Sequence, residues 1–114
     1  LPGCISYSLT VGAVDSKDAI ASFSGKGNSV DISSPGVNLL SAVLGSNYAY
    51  KSGTSMATPI VSGVVALLKA DNSTLTPAQT ENALIKTAKD LGKRGKDSSY
   101  GYGRVDAYSA VSYI

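Results

Sequence analysis

The stretch "KSGTSMATPIVSGVV", residues 51–65, contains the residues best suited to covalent chemistry, in a polar run that precedes an apolar, helix-forming one. A serine at the start of a helix lies beside unpaired backbone N–H groups and the positive end of the helix dipole, which favour a developing anion. Acyl transfer creates such an anion, so Ser55 is a candidate nucleophile and its N–H a candidate oxyanion donor. Gly53 allows close approach of a backbone or substrate, and Thr54 adds a second hydroxyl.

A structural role would explain the same residues, because serine and threonine commonly cap helices. Pro59 complicates either interpretation, since it lacks an N–H and cannot donate to the carbonyl of Ser55. The local rule therefore predicts that the helix starts at Thr58. Either the first turn is irregular or Ser55 precedes the helix.

A serine nucleophile needs a base, and the 114 residues include no histidine. Lys51 is the nearest alternative, as in Ser-Lys enzymes, but no neighbour in the sequence would activate it. Lys69 lies roughly 20 Å further along the predicted helix, at about 1.5 Å per residue, and is too distant. The residues alone therefore leave the base unassigned.

Composition narrows the classes of function. Hydrophobic residues make up 43% of the chain, which argues for a packed core and against disorder. The 10 basic and 8 acidic residues form no basic stripe or acidic tail, so neither nucleic acid nor a membrane is a predicted partner. The longest apolar-rich stretch, Ile60–Ala70, is far shorter than the roughly 20 residues of a membrane span. The start, "LPGC", lacks a Met and is expected to be internal to something longer.

Metal-ligating residues are scarce in the sequence. Cys4 is the single cysteine, and without histidine a transition-metal site has too few ligands. Asp15, Asp18 and Asp31 lack metal-ligand spacing and are expected to be solvated loop acids. The residues themselves therefore predict no metal.

Two kinds of strand are predicted. Ile5–Val14 and Ser29–Ser33 are rich in Ile, Val, Tyr and Thr and suit buried strands. Val37–Val43 and Tyr48–Lys51 flank "LGSN" and suit a short hairpin or a strand pair with an irregular loop. The exposed strands could border a cleft.

The first predicted helix, Met56–Asp71, has apolar residues over most of its surface and is expected to be nearly surrounded by protein. Strands alternating with helices predict an α/β fold with parallel strand pairing. A chain of 114 residues has little interior in which to hide such a helix. We therefore expect the chain to be part of a larger domain.

A second helix has strong local signals: Thr76 as N-cap, Pro77 at its first position and Gln79 completing a capping box. It is predicted to stop at Gly92, where "GKRGKDSSYGYG" reads as a basic, glycine-rich surface loop. Asp106–Ile114 is predicted as a short final helix.

Four segments resemble one known family. "SGTSMATP" resembles the nucleophile signature of subtilisin-like serine proteases and differs from the G-x-S-x-G elbow of α/β-hydrolases. "LTVGAVDSKDAIASFSGKG" is similar to a strand and loop of that family, "VDISSPG" to its V-D-x-x-A-P-G segment, and "YGYGRVDAYSAV" to its C-terminal stretch. The resemblance implies that residues 1–114 are the C-terminal portion of one three-layer catalytic domain, a parallel sheet flanked by helices with a buried helix after the serine motif.

The resemblance also implies an activity. Family members are secreted endopeptidases that cleave polypeptides through an acyl-enzyme, with a Ser-His-Asp triad. Ser55 matches the nucleophile and supplies one oxyanion donor, and Thr54 lies beside that hole. No cofactor is required, and the calcium that the resemblance allows would bind mainly outside this chain.

Further residues are assigned by the resemblance alone. Leu1, Pro2 and Gly3 match the last part of the specificity-pocket wall, and Gly53 contributes to the pocket. A weak cation site of some members would involve the backbone of Gly3, Ile5 and Ser8.

The chain departs from the family pattern in lacking the D-[ST]-G and H-G-T motifs and the oxyanion asparagine. We expect all three upstream of Leu1, in a part of the same domain that would be the partner of this chain. Ile60, where the family commonly has histidine, concerns helix packing. The isolated chain is predicted to be inactive. Two alternatives stay open: a pseudoprotease that keeps the fold for binding, and one chain of a nicked protease.

Overall fold

The computed structural model describes residues 9–25, 27 and 29–114. Within them the α/β class predicted from the sequence is confirmed. In chain order the elements are β1 (Val11–Val14), β2 (Ile32–Pro35), β3 (Leu39–Val43), β4 (Asn47–Lys51), α1 (Thr54–Asp71), α2 (Pro77–Thr87) and α3 (Ala107–Tyr113).

Strands β1 and β2 pair in parallel, with Val11 opposite Ile32 and Val14 opposite Pro35. The parallel pairing is confirmed. The predicted start of the first strand at Ile5 lies outside the described residues, whereas β2 begins later than its sequence predicts. For β2 the reason is a turn, because the N–H of Val30 donates to the carbonyl of Gly27 at 3.2 Å before the strand begins. Pro35 at the end of β2 is compatible with the strand because a terminal residue need not donate to the ladder.

A short segment near the end of the chain extends this sheet. The N–H of Ser33 donates to the carbonyl of Gly103, and the N–H of Val105 donates to the carbonyl of Ser33, both at 2.8 Å. Between them Arg104 exchanges two backbone hydrogen bonds with Lys89, at 2.8 and 2.9 Å. Residues 103–105 therefore act as a further strand beside β2.

The prediction of a surface loop over residues 92–103 is therefore only partly correct. Lys93 and Arg94 are exposed, whereas Gly101 and Gly103 are buried. Both glycines have positive φ, and a Cβ on Gly103 would overlap the carbonyl of Lys89. Glycine is required there because the backbones approach too closely for any side chain.

The predicted hairpin is confirmed. Strands β3 and β4 are antiparallel, with Leu40 opposite Tyr50 and Ala42 opposite Tyr48. The strands are joined by a three-residue turn, residues 44–46, in which Gly45 has a φ of 84° and Ser46 a φ of 61°. The outer face of the hairpin is exposed, since Tyr48 and Tyr50 are each more than 70% accessible.

The core lies between the parallel strands and the three helices. Helix α1 buries one face and leaves the opposite face exposed, where Leu67 is 55% accessible. No described element covers this outer face, so the expectation that protein nearly surrounds the helix stays a prediction for the larger domain. The core cluster comprises Ile32, Val61, Val64, Leu68, Leu75, Ala83, Leu84, Val105 and Ala110.

The start of α2 is confirmed. The N–H of Gln79 donates to the hydroxyl of Thr76 at 3.1 Å, and the N–H of Thr76 donates back to the Gln79 side chain at 2.9 Å. The predicted stop at Gly92 is wrong, since the helix ends at Thr87. It ends early because Lys89 pairs with the distant 103–105 segment. No helix in the described part of the chain is both long and apolar enough to cross a membrane.

Candidate active site

Two glycines connect the serine motif to the sheet. The N–H of Gly53 donates to the carbonyl of Gly36 at 2.7 Å, and the N–H of Gly36 donates to the carbonyl of Val14 at 3.0 Å. Val14 is the last residue of β1. The start of α1 is therefore held at the carboxyl end of the parallel pair, where open α/β sheets place their ligands.

Helix α1 begins at Thr54, and Pro59 does not delay it. The N–H groups of Met56 and Ala57 both donate to the carbonyl of Gly53, at 2.9 and 3.2 Å. The predicted start at Thr58 is wrong, and Ser55 does not precede the helix. Pro59 removes only the donor to the carbonyl of Ser55, which lies in the exposed first turn where water can hydrate it.

Ser55 is the second residue of α1 and is exposed, while Thr54 is half-buried. The N-cap residue is Gly53, which has no side chain to accept from the first-turn N–H groups. In residues 9–25, 27 and 29–114, no acceptor is found for the N–H of Ser55. Capping therefore does not explain this serine, and its N–H is available to an incoming oxygen.

The outer side of the motif borders an open groove of about 310 Å³ between β3 and α1. Met56, next to the candidate nucleophile, contributes to its wall, and the groove runs beneath the exposed hairpin. Its lining is largely apolar and consists of Leu39, Leu40, Ser41, Met56, Pro59 and Ile60.

Neither lysine considered as a base gains support from the structure. Lys69 donates its ammonium to the carbonyl of Leu75 at 2.6 Å, near the far end of α1. Lys51 is exposed at the end of β4. Its backbone pairs with Leu39, and this geometry gives it no evident role at the serine.

Two acidic residues differ from their prediction as solvated loop acids. Asp18 lies 2.8 Å from the guanidinium of Arg104 and 3.5 Å from the ammonium of Lys89. Asp31 accepts from the N–H of Thr10 at 2.9 Å and lies 3.7 Å from the ammonium of Lys96. Both attach loops to the sheet. Across the described residues, no group of three or more Cys, Asp or Glu side chains has metal-binding geometry.

The remaining residues assigned by resemblance lie outside the described residues, so the pocket wall and the weak cation site stay predictions. They are Leu1, Pro2, Gly3, Ile5 and Ser8, and Cys4 lies outside as well. Gly36 adjoins the serine motif but is not among the site residues predicted from the sequence. Its signal was present in "VDISSPG", but only the folded contacts show that this glycine adjoins the serine motif.

A protein-family comparison agrees with this architecture. The model of the subtilase family matches residues 1–103, which is most of the chain. The chain therefore belongs to the subtilase family, and the resemblance identified from its motifs is confirmed.

Individual relatives are similar along nearly the whole chain. It is 42% identical over 105 residues to a thermophilic serine proteinase of Bacillus sp. strain AK1, covering 92% of this chain and 25% of that protein. It is 42% identical over 112 residues to halolysin of Haloferax mediterranei, covering 97% of this chain and 21% of that protein. Subtilisin Savinase of Lederbergia lenta is 44% identical over 115 residues, covering 96% and 42%. The chain thus spans about a quarter of the first two relatives.

Proposed function

We propose that this chain is the nucleophile-bearing C-terminal portion of a serine endopeptidase that hydrolyses peptide bonds through an acyl-enzyme on Ser55. The observation that carries the proposal is the exposed Ser55 at the start of α1, with an N–H that has no acceptor in the described part of the chain. Membership of the subtilase family and the names of the relatives support a serine protease.

In the proposed reaction the hydroxyl oxygen of Ser55 attacks the scissile carbonyl carbon while its proton passes to a histidine supplied by the upstream part of the domain. The developing oxyanion accepts a hydrogen bond from the N–H of Ser55, beside Thr54, and the positive end of the α1 dipole favours that charge. The histidine then protonates the leaving amine, and water releases the acyl group.

The partner implied by this mechanism is the upstream part of the same domain, which would contribute the triad histidine and aspartate and the oxyanion asparagine. The exposed face of α1 around Leu67 supports such a partner, because large apolar side chains are favoured in interfaces. Assembly would complete the three-layer architecture. Leu1, Pro2, Gly3 and Gly53 would form part of the substrate pocket.

No cofactor enters the proposed chemistry. Calcium would stabilise the domain mainly through sites outside this chain, with a weak cation site at the backbone of Gly3, Ile5 and Ser8.

We also propose that the protein is secreted. One relative, 39% identical over 104 residues, is named the minor extracellular protease Epr of Bacillus subtilis.

The decisive experiment is active-site labelling of the complete protein with a fluorophosphonate probe, together with turnover of a chromogenic peptide. Ser55→Ala should abolish both signals, because no other residue would form the acyl-enzyme. Ser62→Ala, a change of the same size on the exposed face of α1, is the control and should leave labelling intact. Labelling that survives Ser55→Ala would refute the assignment.

The isolated 114-residue chain should show no peptidase activity. The members of a serine-protease triad act as a unit, and losing the histidine alone lowers kcat by roughly 10⁶-fold. Turnover by the isolated chain that disappears in Ser55→Ala would contradict this expectation.

If the complete protein binds polypeptides but neither labels nor cleaves, it is an inactive binding homologue. Intact-mass measurement of the purified protein reveals a second polypeptide if the chain is one product of a nick.

A further inference from the structure

We propose that Gly36 is a positioning residue for Ser55, a role that rests on the proposed function of that serine. Gly36 is buried and lies one residue beyond β2. It would act without touching the substrate, by fixing the height of the first turn of α1 above the sheet.

The first observation is a chain of backbone hydrogen bonds from the sheet to the helix. It starts at the carbonyl of Val14, passes through the N–H and carbonyl of Gly36, and reaches the N–H of Gly53. The carbonyl of Gly53 then accepts from Met56 and Ala57. Ser55 lies inside the turn closed by these last two bonds, so its backbone is tied to the strand through Gly36.

The second observation is the space around Gly36. A Cβ built on it would lie 2.8 Å from the Cβ of Ala13, 2.9 Å from the carbonyl oxygen of Gly53 and 3.2 Å from the Cβ of Ala57. Ala13 and Ala57 are fully buried and cannot move into solvent. Gly36 is absent from the positive-φ glycines of the described chain, so close packing is the reason for glycine here.

A methyl group at this position would therefore push on the first acceptor of α1. The carbonyl of Gly53 accepts from the N–H groups of Met56 and Ala57, which close the turn that contains Ser55. Displacement of this carbonyl therefore moves Ser55. A misplacement of about 1 Å at a reacting group costs on the order of 10²-fold in rate. Gly53 is one of four residues proposed for the substrate pocket, so kcat should fall more than KM rises.

The test compares variants of the complete protein by kcat per active site, with active sites counted by stoichiometric titration, and by KM and Tm. Gly36→Ala should lower kcat per titrated site by about 10- to 100-fold and leave KM within about twofold. Gly25→Ala adds the same methyl group where no described atom lies within 4 Å and should leave kcat unchanged.

A double variant separates positioning from stability. Ala13→Gly with Gly36→Ala removes the clash between the two side chains but keeps the contact with the carbonyl of Gly53. We expect its Tm to recover relative to Gly36→Ala while kcat stays low, and this variant carries the test if Gly36→Ala does not fold. The single variant Ala13→Gly is the reference, because it measures how that substitution by itself changes Tm and kcat.

Recovery of kcat together with Tm in the double variant would overturn the proposal, as would a wild-type kcat per titrated site in Gly36→Ala. Failure of the proposed function itself gives a different result. In that case either Ser55→Ala would still label, or the wild type itself would neither label nor cleave, whatever the behaviour of the Gly36 variants.

Discussion

Two buried serines differ in whether the hydroxyl group has a hydrogen-bond partner, and this difference decides how each affects stability. The hydroxyl oxygen of Ser24 accepts a hydrogen bond from the buried N–H of Ala13 at 3.0 Å. The hydroxyl of Ser33 is fully buried and has no partner among the described residues. A buried polar group without a partner is destabilising, whereas one that satisfies a backbone donor is stabilising.

Alanine substitutions should therefore act in opposite ways at these two positions. Ser24→Ala leaves the N–H of Ala13 unpaired and should lower the free energy of unfolding by about 1–2 kcal/mol. Ser33→Ala removes an unpaired hydroxyl and should leave that free energy unchanged or raise it by up to about 1 kcal/mol. Urea denaturation of the two variants checks this, and a larger loss for Ser33→Ala than for Ser24→Ala would contradict it.

Asp106 is the N-cap of α3, and its carboxylate accepts from the N–H of Ser109 at 3.0 Å. That backbone hydrogen bond is the main cause that lowers the pKa of Asp106 below its ordinary 3.8, against an opposing contribution from partial burial. A carboxyl with a lowered pKa in the folded state stabilises the protein at pH values above its unfolded pKa. The stabilisation is lost as the pH falls through the lower, folded-state pKa.

Asp106→Asn keeps a good N-cap but removes the titrating charge. We expect the free energy of unfolding of the wild type to fall more steeply than that of the variant as the pH drops below about 4. The two curves should run parallel between pH 6 and 8, a range in which this carboxyl does not titrate. Unfolding measured across the pH range provides the check, and identical slopes in acid would show that the cap is not coupled to charge.

Two glycines of the 92–103 segment are required for different reasons. Gly95 has a φ of 78°, but a Cβ there would have no atom within 4 Å. Gly103 has a φ of 127°, and a Cβ there would overlap the backbone of Lys89. A side chain at Gly95 would be unfavourable only because of the backbone conformation. A side chain at Gly103 would also force apart two segments of the chain that lie close together.

Gly95→Ala should lower the free energy of unfolding by about 1–2 kcal/mol, the cost of a left-handed conformation. Gly103→Ala should cost more than about 4 kcal/mol, because the pairing of residues 103–105 must separate. Thermal unfolding of the two variants distinguishes these outcomes. Equal losses would mean that conformation alone requires glycine at both sites.

The features predicted correctly from the sequence are those determined by interactions between residues close together in the chain. The start of α2 follows from Thr76 and Gln79, which satisfy each other three residues apart. Its end depends on the pairing of Lys89 with Arg104, which no local pattern reveals. The serine motif is recognisable from its own residues, whereas the proposed role of Gly36 depends on contacts with Ala13 and Ala57 that exist only after folding.

Helix α1 has two very different sides. Leu68 is fully buried in the core, whereas its neighbour Leu67 is 55% accessible. In the isolated chain Leu68→Ala should lower the free energy of unfolding by about 2–5 kcal/mol, and Leu67→Ala by no more than about 0.5 kcal/mol.

In the complete domain both substitutions should be costly if the upstream part packs on the outer face of α1. Comparing the Leu67→Ala effect in the isolated chain and in the complete protein measures that interface directly. Leu68→Ala is the internal control, since its surroundings lie within this chain. An unchanged, small effect of Leu67→Ala in the complete protein would place the upstream part elsewhere.

Arg104 joins parts of the chain that are far apart in sequence, since its ion-pair partner Asp18 is 86 residues earlier. Arg104 also pairs with Ser33 of β2, which is likewise distant in sequence. During synthesis β2 leaves the ribosome before residues 103–105, which pair with its second edge, have been translated. An uncovered strand edge is a template for association with other chains, and contacts of long sequence separation slow folding. This edge consequently remains exposed to aggregation until residues 103–105 have been translated, and the sheet closes only after that point.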